Sequence, residues 1–444
     1  MKTMMIKPLV IAVGLTMSVM ANAQSSQEVE QLRQEVQQLK ALVHQYAQQN
    51  QTVQANLNQL SNTAVQPPVA QKASTEKRGL GMTLGNAEFN LYGNVRMDGS
   101  YQVEGSSRDL PYNHINAVAL EGNNESSDRL RSTLSATRLG LDFKSPVGDQ
   151  DVKGKIEVDF LGGSNFDNLR IRHAYLNYGN WLIGQTWSNF AVPDYMPETV
   201  DALAYAGGAV KRTPQVRYTA KFSPQTNLVV AAEDPKDNSI TQRLPALTAR
   251  LNHQFADNMS VSARAMGHEK RINSDEEMAW GVGLGAKYDV TPSTTLKADY
   301  YHVKGDSSFV SFANKGVAVT NLDDKGVITA TSAIAAQSEF DSITVGLTQK
   351  FNDKLRGTLG YGYMKFDDDQ DYINALSNKS AANKDLWQAW ANIFYSPRKP
   401  LSFGLEYVYG ERKAYGPVLD EDDQPVSGRT GEDNRINMVA IYNF

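Results

Sequence analysis

Arginine and lysine side chains recur at alternate positions of segments whose composition is typical of extended strands. Side chains two residues apart on a strand point to the same side, so this spacing would line one wall with cations. Guanidinium groups bind carboxylates and phosphates through paired hydrogen bonds, and the chemistry predicted for this wall is therefore anion binding. The cations placed in this way are Arg96, Arg138, Lys155, Arg217, Arg250, Arg264, Lys297 and Arg356.

A second interpretation is that these charges pair with one another and only hold the wall together. Arg96 and Asp98 are two residues apart, as are Lys155 and Glu157, and each could form an ion pair on one face of its strand. The net charge of −5 does not favour an anion-binding surface either. The recurrence of arginine near the middle of six different strands favours anion binding, but the sequence leaves both interpretations open.

No catalytic group, metal site or cofactor site is predicted. The chain has no cysteine, which excludes thiol chemistry and disulfides. Its histidines do not have the spacing of metal ligands. They are His44, His114, His173, His253, His268 and His302. A clustered basic face is also missing, so no nucleic-acid partner is expected.

The segments that carry the cations show a period of two from residue 88 onward. On the first of them, Leu91, Val95 and Met97 alternate with polar residues such as Asn94 and Asp98. The mean hydropathy of the whole chain is only −0.45. Strands that alternate in this way can span a membrane without the long apolar run that identifies a membrane helix. Sixteen strands are predicted, at residues 88–102, 134–144, 152–161, 169–178, 181–187, 214–222, 227–233, 245–255, 259–267, 279–289, 295–302, 340–351, 354–365, 386–395, 401–410 and 434–444.

The connections between these strands alternate between short and long. Seven are turns rich in Pro, Gly, Asn and Asp, and eight are longer loops, which is the pattern of an outer-membrane barrel. An even number of antiparallel strands places both chain ends on the short-turn side, the periplasm. The predicted loops are residues 103–133, 162–168, 188–213, 234–244, 268–278, 303–339, 366–385 and 411–433.

The last strand gives the clearest sign of a membrane barrel rather than a soluble all-β fold. Ile436, Met438, Ala440 and Tyr442 form one apolar face, which ends on Phe444, the final residue. A terminal aromatic residue on such a strand resembles the signal that outer-membrane assembly machinery recognises. The fold class is therefore an all-β transmembrane barrel of 16 antiparallel strands, preceded by a short α-helical coiled coil, in the bacterial outer membrane.

The third long loop is a candidate constriction of the channel. In sixteen-stranded porins the third loop folds inward, and here it would bring carboxylates opposite the arginine wall. By this analogy the constriction residues are Phe190, Asp194, Tyr195, Glu198 and Asp201.

The N-terminal part is predicted to contain three segments before the barrel. Residues 1–23 have the charged start, apolar stretch and Ala21-Asn22-Ala23 site of a signal peptide, and removing them changes the net charge from −5 to −7. Residues 24–62 carry five heptads of a coiled coil, residues 63–85 form a linker with Pro67-Pro68, and residues 86–444 form the barrel. The seam consists of Val29, Leu32, Val36, Leu39, Val43, Tyr46, Asn50, Val53, Leu57 and Leu60.

Taken together, the chain resembles the DcaP-like outer-membrane porins. The resemblance rests on the coiled coil, the linker, the final strand Asn437–Phe444, and the stretch Arg170–Tyr178 followed by Trp181–Trp187. It implies a homotrimer in outer-membrane lipid with a periplasmic coiled coil, and passage of small anionic solutes, dicarboxylates among them. From the heptads alone, dimer and trimer both remain open.

Two functions from different classes are compatible with these patterns. The first is a porin for passive diffusion that prefers anions, without catalytic activity. The second is a structural envelope protein whose coiled coil tethers the outer membrane to a periplasmic partner, with a closed or incidental pore. The polar inward faces of the strands favour the first, and conductance would separate the two.

Overall fold

The computed structural model describes residues 80–105, 112, 114–122, 127–164, 167–203, 205–237, 242–323 and 326–444. These residues belong to one compact unit, which spans Glu76–Phe444. The predicted signal peptide, the coiled-coil seam and most of the linker lie outside the described residues. Among the described residues, no helix is long and apolar enough to cross a membrane.

Sixteen antiparallel strands form a closed barrel, because the first barrel strand pairs with the last as well as with its own successor. Arg96 faces Ile441 across this closing pair, and Asn94 faces Arg138 on the other side of the same strand. The barrel strands are β2 (Ala87–Glu104), β4 (Arg138–Val147), β5 (Gln150–Gly162), β6 (Asn168–Tyr178), β7 (Trp181–Trp187), β8 (Arg212–Lys221), β9 (Thr226–Glu233), β10 (Ala246–Ala256), β11 (Met259–Ile272), β12 (Asp275–Thr291), β13 (Thr294–Lys304), β16 (Glu339–Asn352), β17 (Leu355–Phe366), β18 (Asn383–Arg398), β19 (Leu401–Ala414) and β20 (Thr430–Asn443).

Four further strands lie outside this set of sixteen. Strand β1 (Leu80–Leu84) forms a hairpin with β2, so the predicted linker is too long at its C-terminal end. Strand β3 (Arg129–Thr133) pairs with residues Asp98–Gln102 of β2, toward the long-loop end of that strand. Strands β14 (Val317–Thr320) and β15 (Ala333–Gln337) form a separate hairpin within a loop. The described residues also form one short α-helix, α1 (Gln370–Asn374), between β17 and β18, and two 3₁₀-helices, Ile115–Ala117 and Pro193–Tyr195.

The predicted alternation of short turns and long loops is present, with one exception. The loops, numbered L1 to L8, are residues 105–137, 163–167, 188–211, 234–245, 273–274, 305–338, 367–382 and 415–429. The prediction of a loop at 268–278 was wrong, because β11 and β12 continue pairing up to Ile272 and Asp275. The polar composition of that segment suited a loop, but two paired strands can extend beyond the membrane and remain soluble.

The outward face of the barrel is apolar and ends in a ring of aromatic residues at the short-turn side. Aromatic side chains of this kind mark the boundary between hydrocarbon and water in membrane barrels. On the final strand Met438, Tyr442 and Phe444 are exposed while Val439 is buried, as the period of two predicts. The ring consists of Tyr178, Trp181, Phe222, Phe255, Tyr288, Phe351, Tyr395, Phe403, Tyr442 and Phe444.

Candidate functional site

Loop L3 lies inside the barrel and follows its inner wall. Near its start, Asn189 binds the β9 strand through the carboxylate of Glu233, at 2.7 Å, and through the carbonyl of Val229. Farther along, the backbone amide of Val200 donates to Glu406 of β19, at 2.8 Å, and its carbonyl accepts from Arg96 of β2. The loop therefore spans the inside of the barrel from β9 to the strands that close it.

Inward-facing glycines make room for this path. A Cβ at Gly285 would lie 2.3 Å from the ring of Tyr195, and one at Gly346 would lie 2.4 Å from Pro197. On the returning part of L3, a Cβ at Gly362 would lie 2.0 Å from the carbonyl oxygen of Ala206. Such approaches are far shorter than van der Waals contact, so only glycine permits the loop to pack against these strands.

Five of the cations predicted to line the pore contact L3, one of them Arg96 through the carbonyl of Val200. Arg356 donates two hydrogen bonds to Glu198, at 2.7 and 2.8 Å, and Lys297 donates to the carbonyl of Met196 at 3.0 Å. Arg250 pairs with Asp194 at 3.2 Å. Arg264 is fully buried, pairs with Asp299 and reaches the carbonyl of Phe190. These contacts attach the loop to the wall, so the interpretation of charges that pair within the barrel holds for this group.

The far end of L3 is fixed by buried charges. Asp201 lies 2.8 Å from Arg435 of β20, and Glu406 accepts from Thr199 and Val200. Burial raises the pKa of Asp201 to about 6 even though the Arg435 guanidinium acts in the opposite direction. Buried polar and charged groups therefore hold this end of L3. Removing one partner of such an ion pair should leave the other partner as a buried, uncompensated charge.

Part of the inward face is apolar, in contrast to the polar lumen that was predicted. Buried side chains of β11, β16 and β17, among them Met266, Phe340 and Met364, form one cluster with residues of L1, L3 and L6. Phe190 of L3 packs edge-to-face on Phe309 of L6, with ring centroids 5.7 Å apart. Loops therefore cover this side of the inner wall near the long-loop end and fill that part of the lumen.

Loop L6 is anchored at its start by a buried charge cluster. Asp306 binds His268 and Lys270 of β11 and accepts from the backbone amide of Ser308 at 2.7 Å. Burial would raise the pKa of Asp306, but His268 and Lys270 lower it well below the usual range of a carboxyl group. The carboxylate therefore stays ionised and fixes the loop that places Phe309 over L3.

A cluster of arginines lies on the other side of the lumen, on β2, β4, β6 and β8, and β5 supplies two of its carboxylates. Arg172 pairs with Glu157 at 2.6 Å and with Asp159 at 3.0 Å, and Arg170 binds Asp159 through two hydrogen bonds. Arg138 and Arg212 lie within electrostatic range of Arg172. Neither forms an ion pair with any carboxylate in the described part of the chain.

The charges of this cluster do not cancel. Its five guanidinium groups belong to Arg96, Arg138, Arg170, Arg172 and Arg212, and the carboxylates among them belong to Asp98, Glu157 and Asp159. The arginine cluster therefore carries an excess of two positive charges. Nearby, Lys155 pairs with Asp142 at 3.0 Å rather than with Glu157, which instead accepts from Tyr92. Arg217 donates to Gln215 and to the carbonyl of Trp187.

The sequence reasoning missed Arg170, Arg172 and Arg212 as site residues. The pairing of β5 with β6 shifts by one residue between Glu157 and Val158, and this shift brings both Arg172 and His173 to the inward side of β6. A strict period of two would place two consecutive residues on opposite sides of the strand. Arg212 precedes the predicted strand and packs 4.6 Å from the Trp187 ring. A signal was available in the sequence. Arg170 and Arg172 are two residues apart, as are Glu157 and Asp159 on the preceding strand, and this spacing could have predicted ion pairs between the two strands.

No group of three or more His, Cys, Asp or Glu side chains suited to a metal ion is found within the described ranges. The candidate site consists of L3, the cations that hold it and the arginine cluster. It can bind anions and can narrow a passage, and its residues show no arrangement of nucleophile and base.

Comparison with known proteins gives a family and a fold. The chain is 39% identical to the outer membrane channel DcaP of Acinetobacter baumannii, with a TM-score of 0.70 over 83% of this chain and 100% of that one. OmpT of Vibrio cholerae, an outer membrane protein, has the same fold at 15% identity and a TM-score of 0.51, covering 82% of this chain and 99% of that one. A trimer form of OmpT matches at 15% identity with a TM-score of 0.50, over 81% and 99%. No curated protein sequence matches.

The profile of the DcaP outer membrane protein family matches residues 15–444, nearly the whole chain. Together with the closed barrel of sixteen strands, this match shows that the chain belongs to the DcaP outer membrane protein family and is an outer-membrane channel of the porin type.

Proposed function

We propose that this porin passes small anions by diffusion, dicarboxylates among them, between L3 and the arginine cluster. The observation that carries this proposal is the charge of the arginine cluster. The cluster has an excess of two positive charges and forms no ion pair with the described residues of L3. Arg138 and Arg212 have no carboxylate partner among the described residues, so two guanidinium groups remain for a solute. A molecule with two carboxylates has one carboxylate for each of these guanidinium groups.

The physical basis of the preference is electrostatic. A narrow aqueous passage between low-dielectric walls focuses the field of the cluster and raises the local concentration of anions. L3 adds carboxylates on the opposite side, of which Asp194 is 53% exposed. Solutes would then pass between charges of opposite sign, and anions would follow the arginine side.

The test is single-channel recording of the purified protein in a planar bilayer under a salt gradient. We expect stepwise openings, a reversal potential of the sign given by anion selectivity, and block by an added dicarboxylate. A unit charge about 8 Å from an ion contributes roughly 0.5 kcal/mol in water-like surroundings. Because salt screens part of this, Arg138→Gln should lower the anion-to-cation permeability ratio by about twofold to fivefold.

The matched control is Lys365→Gln, which removes one positive charge from the outward face of β17 and should leave the permeability ratio unchanged. Cation selectivity, or a current unaffected by dicarboxylates, would contradict the anion preference. A folded protein without any conductance would instead favour the structural tether.

We further propose a homotrimer in which residues 24–62 form a periplasmic coiled coil after removal of residues 1–23. The heptad seam cannot be buried by one helix, which supports self-association, and a trimer form is known for OmpT. Chemical cross-linking of the full chain in membranes should yield trimers, and substitution of Val36 and Leu39 by Asp should reduce them. Crosslinked dimers as the largest species would contradict the trimer.

A further inference from the structure

A second pair of arginines, Arg217 and Arg250, lies on the inner wall beside the arginine cluster. Arg217 follows Arg212 by five residues on β8, which places it about 16 Å farther along the strand toward the short-turn end. Strand β9 separates the pair, because its Ala231 faces Arg217 of β8 and its Val229 faces Arg250 of β10. Across these short side chains the two guanidinium groups lie within electrostatic range of each other.

Both guanidinium groups keep nitrogen atoms that have no partner in the described part of the chain. Arg217 donates from Nε to Gln215, at 2.8 Å, and from Nη2 to the carbonyl of Trp187, which leaves Nη1. Arg250 donates from Nη1 to Asp194 at 3.2 Å, which leaves Nη2, and its buried Nε is unpaired as well. Each arginine of the pair therefore has a terminal donor left for an anion.

The contact between Arg250 and Asp194 is weak, and L3 fixes its geometry. Asp194 lies in the 3₁₀-helix Pro193–Tyr195, and Tyr195 packs so closely on β12 that a Cβ at Gly285 would lie 2.3 Å from its ring. The carboxylate of Asp194 is more than half exposed and accepts no other hydrogen bond from the described residues. A tethered carboxylate with one bond is a poorer ligand than a free one, which can bind both terminal nitrogens of a guanidinium group.

The charges around the pair balance only while Asp194 stays in place. Two carboxylates act on these arginines, those of Glu233 and Asp194. Glu233 is fully buried and accepts three hydrogen bonds of 2.7–2.8 Å from uncharged donors, so its carboxylate is fixed. Asp194 can turn into the solvent, and one positive charge then remains for an anion.

We propose that Asp194 is an internal competitor of the solute. Its carboxylate occupies Arg250 between passages, and an anionic solute displaces it and binds between Arg217 and Arg250. The mechanism rests on the proposed passage of anions and adds to it a second site and the regulation of that site. A channel site must bind a solute strongly enough to admit it and weakly enough to let it leave. Because Asp194 returns to Arg250 as the solute moves on, it shortens the stay of the solute.

The experiment records the block of single channels in a planar bilayer by added succinate, a small dicarboxylate, and measures the mean duration of the blocked periods. Asp194→Asn should lengthen these periods about twofold to fivefold, because an exposed ion pair of this kind competes only weakly. Arg250→Gln should shorten them, since one of the two guanidinium groups is lost. In the Arg250→Gln background, Asp194→Asn should leave the duration unchanged, because the competition needs Arg250.

The matched control is Asp194→Asn in the Arg356→Gln background, where the lengthening should persist. Arg356 lies on the same inner wall but pairs with Glu198. Equal lengthening in both arginine backgrounds would overturn the proposal, because Asp194 would then act only through the general field of the pore. Unchanged durations in Asp194→Asn alone would also overturn it.

These two results would leave the proposed passage of anions intact. An unchanged protein that succinate does not block would instead contradict the passage of dicarboxylates, and the competition with it. Heat-dependent gel mobility checks that each variant forms a closed barrel.

Discussion

The contact between Glu198 and Arg356 offers the most direct test of how L3 is held. Two hydrogen bonds of 2.7 and 2.8 Å join the carboxylate to the guanidinium, which also packs 4.6 Å from the ring of Phe394. The change Glu198→Gln removes the charge and keeps the size. It leaves the carbonyl of Glu198 bound to Trp390 and Asn392, so the loop should loosen locally and stay inside the barrel.

The magnitude follows from geometry and exposure. Hydrogen bonds to charged groups contribute about 1.5–3 kcal/mol when buried, and exposed ion pairs contribute about 0.2–1 kcal/mol. The side chains of Arg356 and Glu198 are 31% and 33% exposed, so the pair lies between these limits. Because glutamine can keep one of the two hydrogen bonds, a loss of about 1 kcal/mol is expected, which corresponds to roughly fivefold more frequent opening of this contact.

The assay is open-channel current noise in single-channel records at constant voltage. We expect the mean conductance to change little and brief current fluctuations to become about fivefold more frequent, as estimated from the pair. Asp194→Asn is the matched control, since it removes the same charge from the same loop but breaks a 3.2 Å contact of a 53% exposed carboxylate. It should leave the noise unchanged.

A double-mutant cycle completes this test. If the two side chains act through each other, Glu198→Gln and Arg356→Gln together should add little to either change alone. Fully additive effects, or unchanged noise in Glu198→Gln, would refute the view that this ion pair holds the loop.

Two further predictions concern the packing of L3 against the inner wall. Gly362→Ala should displace the returning part of the loop and lower the melting temperature. The control Gly267→Ala should be tolerated, because its Cβ would meet only the Ala279 carbonyl at 3.8 Å, and equal melting temperatures of the two variants would contradict the close packing. Asp201 is an acid with a pKa raised to about 6, so the folded state binds its proton more tightly than the unfolded state does. Its protonation therefore stabilises the fold at low pH, and this contribution is lost as pH rises through about 6. Thermal unfolding should show the unchanged protein gaining stability relative to Asp201→Asn between pH 7 and pH 5, and parallel pH profiles would count against the raised pKa.

The strand positions could be predicted from the sequence because each barrel strand alternates between lipid and lumen. The period of two at Leu91, Val95 and Met97 marks such a strand without knowledge of its neighbours. The strand ends were less certain. The extended ends of β11 and β12 are polar enough to suit a loop, and β1 has only five residues, so only pairing with an adjacent strand identifies these segments as strands.

The roles of the arginines could not be predicted in the same way. Alternation placed Arg264 and Arg138 on the same inner wall, yet one is buried against Asp299 and L3 while the other has no carboxylate partner in the described structure. That difference depends on where L3 passes. The bulge in β6, which turns Arg172 inward beside His173, also breaks the period on which the prediction relied.

The sequence by itself determined the class of the protein, since the sixteen alternating strands and the short turns between them are local patterns with one physical explanation, a closed sheet in a membrane. Only the tertiary structure decided which charges hold the loop and which have no carboxylate partner among the described residues. Charge pairing depends on distances between residues far apart in the chain, such as Glu198 and Arg356, and no spacing along the sequence encodes those distances.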